Sequence, residues 1–205
     1  LVGSEMCIRD RYTPKGAEGD LKKMIEKKGE VGMMSFPVWY VALEAPNYPK
    51  AAFPEGIPVW FHVDGFSGDI HEMNTINHYV GMYPLEDGAK IERALGPFLM
   101  LGISLLTILF ICIRKKWSWI FMLPSALFPL GFFAFYSGWM YWFGHNMQEW
   151  GAFKIKAFMP TALGVGHVAH FTTKSFPSIG FWVLVIIAVL SVLAILARRN
   201  ELKKQ

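Results

Sequence analysis

A chain of 205 residues that is 53% hydrophobic and 16% aromatic, with only 18% charged residues, is too apolar for an ordinary soluble domain and reads as a membrane protein. Its formal charge of +4 does not point to nucleic acid, because the basic residues sit in short clusters beside apolar runs and not on a basic face interleaved with aromatics. Cys7 and Cys112 are far apart, the second within an apolar run, which excludes a disulfide framework and a CxxC metal site. Any metal must then be held by His, Met or carboxylate.

The first stretch, "LVGSEMCIRDR" (residues 1–11), resembles translated adaptor sequence and is set aside as a non-native artefact, with the native N-terminus expected upstream. Residues 12–30 are a charged N-terminal segment whose "GDLKKMIEKKGE" is compatible with an amphipathic helix. Residues 31–43, "VGMMSFPVWYVAL", are too few to cross a bilayer alone. They read equally as a partial anchor, the remnant of a fourth transmembrane helix, or as an interfacial helix.

Residues 44–94 form the next segment. Alternation around "IPVWFHVDG" (57–65) predicts one or two short strands ending at the turn from Gly65 to Gly68, hence a small β or α+β cap on a helix bundle. His62 fits packing or hydrogen bonding in such a strand. The segment then gathers His71, Met73, His78 and Met82 in "GDIHEMNTINHYVGMYP" (68–84). His71 and Met73 would point the same way on an extended chain, and His78 and Met82 would stack one turn apart on a helix, although Gly81 weakens a helical reading.

Three runs can cross a bilayer. Residues 95–113 and 179–197 are uncharged stretches of about the 20 residues needed to span the hydrocarbon core. Residues 117–143 are also uncharged, with Pro124 and Pro129 expected to kink the helix and Trp and Tyr at both ends as interfacial anchors. None shows the polar face of a soluble helix. The fold class is therefore membrane α-helical, with three transmembrane helices and a small extracytoplasmic cap.

Between the second and third spans, residues 144–178 carry "GHNM" with His145 and Met147, then Met159, and "GHVAHF" with His167 and His170 spaced to share a helical face. Arg114, Lys115 and Lys116 fill the turn between the first two spans, and Arg198, Arg199, Lys203 and Lys204 follow the third in the tail 198–205. The positive-inside rule puts both clusters in the cytoplasm and both long loops on the exported side. All six histidines then fall on the exported face.

Thioether and imidazole together favour Cu(I) over hard cations, so copper is the expected cofactor and His78, Met82, His145, His71, Met73 and Met147 are the candidate ligands. The structural alternative is that methionines fill membrane-protein packing and that Asn74, Asn77 and Asn146 pin turns. No P-loop, dinucleotide fingerprint, HExxH or CxxCH occurs, and "GFSGD" is not a nucleophile elbow, so no catalytic residues are assigned and no enzymatic activity is expected.

"LEAPNYP" (43–49), "INHYVGM" (76–82), "FYSGWMYWFGHN" (135–146) and "SFPSIG" (175–180) together resemble an uncharacterised family of small bacterial inner-membrane proteins associated with loci for nitrous oxide reductase maturation and copper delivery. The resemblance covers about residues 36–190. It implies a copper-handling or assembly role with a periplasmic copper protein or maturation complex as partner. The chain departs from the family after "GHN", where relatives tend to continue with Asp-Pro and a proline-rich Tyr-Gln segment and this chain has "MQEWGAFKIKAFMPTALG". The alternative function is a structural or anchoring subunit of a membrane redox complex without its own metal. A reporter fused after Lys116 should be cytoplasmic and one fused within residues 150–165 exported; the same compartment for both would overturn the three-span topology.

Overall fold

The computed structural model describes residues 36–204 other than 47, 49, 150 and 153–155. The adaptor-like residues, the charged segment 12–30 and the first part of 31–43 lie outside the described residues. In chain order the fold runs β1 (Trp39–Glu44), β2 (Ile57–Phe61), β3 (Phe66–Gly68), α1 (Ile70–Val80), α2 (Lys90–Cys112), α3 (Leu123–His145), β4 (Gly164–Val168), β5 (Phe171–Pro177) and α4 (Ile179–Lys204), with a 3₁₀ turn at Ser118–Met122 leading into α3. The strands form one antiparallel sheet in the order β3-β2-β1-β5-β4.

The sheet confirms the expected small β cap and corrects its extent. Residues 39–43 are the central strand and not part of an anchor or interfacial helix: Val41 pairs with Val59 of β2 on one side and with Ser175 of β5 on the other. A central strand satisfies both backbone edges, and this one is apolar at every residue before Glu44, so its sequence mimics a short membrane segment. Residues 164–177, which the sequence reading leaves as loop, supply β4 and β5. Along β1 the period of two sends Trp39, Val41 and Leu43 into the core, while Tyr40 meets Trp60 and Glu44 meets Lys174 on the far face.

Three helices, α2, α3 with its 3₁₀ lead, and α4, are long and apolar enough to cross a membrane, and most of their surface faces outward. Pro124 falls in the first turn of α3, where its missing N–H would have had no partner in any case. At one end of the bundle Arg198 of α4 donates to the Ile113 carbonyl that closes α2 (3.2 Å) and sits 4.7 Å over the Phe110 ring. The two basic clusters therefore share one end.

The sheet occupies the opposite end. There Gly96 of α2 lies against Val63 in the β2–β3 connection, and the Arg93 guanidinium covers the Phe66 ring at 4.5 Å while donating to the Glu86 and Gly88 carbonyls. Phe181, at the start of α4, meets Phe132 of α3. The rest of α3, from Phe132 to His145, rises about 20 Å past that level along the sheet. The run read from sequence as one uniform span is thus divided: its first part packs with the bundle and its second part buttresses the cap.

Side chains from four elements weld the two together. The Trp39 indole packs on Phe132, Phe133, Tyr136 and Phe181 with centroids 5.0 to 6.0 Å away. Its Nε1–H donates to the buried Ser175 Oγ (2.8 Å), and Ser175 donates to the Ala162 carbonyl (2.9 Å). Since the single Ser175 proton is used there, the Tyr136 hydroxyl at 3.2 Å must be the donor to Ser175.

Ser175→Ala strands two buried donors, so it should destabilise the cap by roughly 2 kcal/mol or more, read as a lower denaturant midpoint of the detergent-solubilised protein. Ser191 is equally buried, but its hydroxyl only back-bonds to the Ile187 carbonyl of its own helix, so Ser191→Ala should cost well under half as much. Equal effects would remove the special role assigned to the Ser175 junction.

Lys174 Nζ lies 2.7 Å from Glu44 Oε1, and this bond raises the Lys174 pKa above its ordinary 10.5, against a smaller opposing effect of burial. Burial, aided by Glu55, likewise raises that of Tyr40. A raised folded-state pKa contributes stability that is complete below the unfolded value and lost as pH climbs through the folded one. Cap stability should be insensitive to these groups at neutral pH and fall above about pH 10, less steeply in Lys174→Met; an unchanged alkaline slope in that variant would remove the pair from the account.

Candidate functional site

The stretch "GDIHEMNTINHYVGMYP" folds as a helix with a sharp end. In α1 the residues Met73, Asn77 and Val80 follow the helical period and form the buried face, which leaves His71 and Tyr79 exposed. The extended geometry expected for His71 and Met73 is therefore overturned, because two residues apart on a helix the side chains diverge. Met73 is 5% exposed and belongs to the core.

The helix closes at Gly81, whose φ of 85° is left-handed. Met82 N–H donates to the Asn77 carbonyl (2.7 Å) and Gly81 N–H to the His78 carbonyl (3.0 Å), the paired bonds of a Schellman end. His78 and Met82 are thus not successive turns of one helix: His78 stays on α1, half-buried, and Met82 is turned inward against the core. Asn74 does pin a turn, giving its amide to Glu86 Oε2 (2.7 Å) and accepting the Leu85 N–H (2.9 Å).

The second motif reaches the first through its backbone. Gln148 N–H donates to the Gly81 carbonyl (2.7 Å), the Gln148 amide bonds the Tyr83 hydroxyl, and the Tyr83 ring packs on Trp142 at 5.3 Å. A Cβ on Gly81 would come 2.6 Å from the Gln148 carbonyl oxygen, so only glycine permits the crossing. At the end of α3, Asn146 caps the Trp142 carbonyl, and His145 stacks on Tyr141 with centroids 3.8 Å apart. His145 Nδ1–H donates to the Tyr141 carbonyl (2.9 Å), so a neutral ring presents Nε2 as its acceptor.

The candidate ligands separate into layers. His71 and His145 are on the surface, His78 and Met147 are half-buried, and Met73 and Met82 face the interior. Among the described residues no group of three or more His, Cys, Asp or Glu side chains is placed to hold a metal ion. His167 and His170 do not share a helical face, since His167 is on β4, where its Nδ1 bonds the Thr172 hydroxyl (3.0 Å), and His170 is in the two-residue turn to β5. His62 Nε2 bonds Ser67 Oγ (2.7 Å) across the β2–β3 hairpin, in keeping with a structural role. Cys112 is exposed on α2, away from the cap, and Cys7 lies outside the described residues.

Beneath the sheet, between α1 and the cap half of α3, lies a cavity of about 90 Å³. Its walls are apolar and carry three thioethers, Met73, Met82 and Met140, together with Asn77 and Tyr136. Met140 is the residue that sequence reasoning missed. It stands within "FYSGWMYWFGHN", but a methionine in an aromatic apolar run looks like any other membrane residue.

On its other side the cap half of α3 is uncovered: Phe135, Gly138, Trp139 and Trp142 line an open groove. Comparison of the chain with protein-family models, with curated proteins and with solved structures finds no match.

Proposed function

We propose that this protein is a non-enzymatic membrane factor that handles copper for the maturation of a periplasmic copper enzyme of the nitrous oxide reductase type, with its cap on the exported side of a bacterial inner membrane. The observation that carries this reading is the junction of Gln148 with Gly81, which fixes the "INHYVGM" and "FGHN" segments side by side. Imidazole and thioether donors from both loops are thereby collected in one cap, to which the described residues bring no thiol. Such a donor set suits a soft monovalent ion and suits hard cations poorly.

A second reading, a structural or anchoring subunit of a membrane redox complex, is favoured by the uncovered groove at Phe135, Trp139 and Trp142, which offers an aromatic surface to another protein. Metal analysis of the full chain purified from copper-replete cells decides between them. Retained copper at about one ion per chain, with under-metallated enzyme in cells that lack the protein, is the expected result. A copper-free protein that purifies in fixed ratio with a redox partner would establish the anchoring role instead.

A further inference from the structure

We infer that the cap holds Cu(I) in the cavity lined by Met73, Met82 and Met140, and not at the surface histidines; this rests on the copper-handling reading and assigns its site. The three thioethers come from three different places in the chain. Met73 is on the buried face of α1, Met82 follows the left-handed end of that helix, and Met140 is on the cap half of α3. Local sequence spacing brings no two of them together on one helical face, yet all three line one cavity.

The surroundings match the ion. The walls are apolar, the polar side chains among them are neutral, and a neutral thioether set leaves a monovalent soft ion with a single positive charge to bury, half of what Zn²⁺ or Cu²⁺ would leave there. A space of about 90 Å³ is ample for a guest the size of a water molecule, which needs about 10–15 Å³ of such space. The construction around the cavity is also specific. The Schellman bonds turn Met82 inward, and the Ser175 junction fixes α3, hence Met140, against β1.

Methionine also serves as packing material, so the test separates shape from sulfur. The full chain in lipid nanodiscs would be titrated with Cu(I) buffered by a competing chelator, for the native protein and for Met73→Leu, Met82→Leu and Met140→Leu, which nearly conserve side-chain volume. Each substitution should weaken Cu(I) binding by at least the roughly 10- to 100-fold lost when a metal site is stripped of a supporting group. X-ray absorption of the native complex should show sulfur scatterers as the dominant shell, a readout that needs no variant to fold.

A shell of nitrogen scatterers, or Met→Leu variants of native affinity beside a His78→Ala, His145→Ala protein that binds none, would overturn the cavity site while leaving copper handling in place. A native protein that takes up no Cu(I) from the chelator would overturn both.

Discussion

A single hydroxyl group governs how this molecule is put together. Ser175 accepts from Trp39 and Tyr136 and donates to Ala162, so one buried side chain on β5 fixes the central strand, the longest apolar run and the chain entering β4. Apolar packing alone would let a sheet slide along a helix whose exposed and buried faces are both aromatic, because area burial has no direction. Hydrogen bonds in a dry site do have direction, and an unmade one is costly. The register of sheet against helix is therefore set by a few polar atoms in an otherwise greasy interface, and the cavity beneath β1 inherits its shape from that register.

How legible this was in the sequence depends on which solvent each segment meets. The two basic clusters and the long uncharged runs at 95–113 and 179–197 identify α2 and α4, because a helix in lipid must be long and free of charge and few other structures need to be. The hairpin at "IPVWFHVDGFSG" is likewise visible, since its alternation and glycines are local properties. β1 was hidden. A strand flanked by two partners and apolar at all but its last residue carries no clear alternation, and its partners, β2 and β5, lie on opposite sides of it in the sheet but both follow it in the chain, one of them more than a hundred residues later.

The candidate site was legible in its composition and not in its geometry. That imidazole and thioether gather in the loops follows from counting residues. Which of them share a space follows from where α1 begins and ends, and the end is decided by Gly81, whose crossing under Gln148 depends on a contact 67 positions away. Reading His71 and Met73 as neighbours assumed a strand, and one change of period sends them to opposite environments.

α3 shows the general difficulty most clearly. Phe132, Tyr136, Met140 and Phe143 face the sheet, while Phe135, Trp139 and Trp142 lie along the open groove, so the helix is apolar on every side. Lipid and a packed sheet select the same kind of side chain, and no hydropathy pattern can tell where one solvent gives way to the other. The marks of the transition are the groups that lipid would not satisfy: the Tyr136 hydroxyl, which needs Ser175, Gly144, whose bare backbone lies against the Phe158 carbonyl, and His145 with Asn146 at the exposed end. Each is an unremarkable residue in an aromatic run until its partner is known, and the partners of Tyr136 and Gly144 come from the segment after the helix. The boundary between apolar bundle and cap is thus written in pairs of residues, which is why a reading taken one window at a time passes over it.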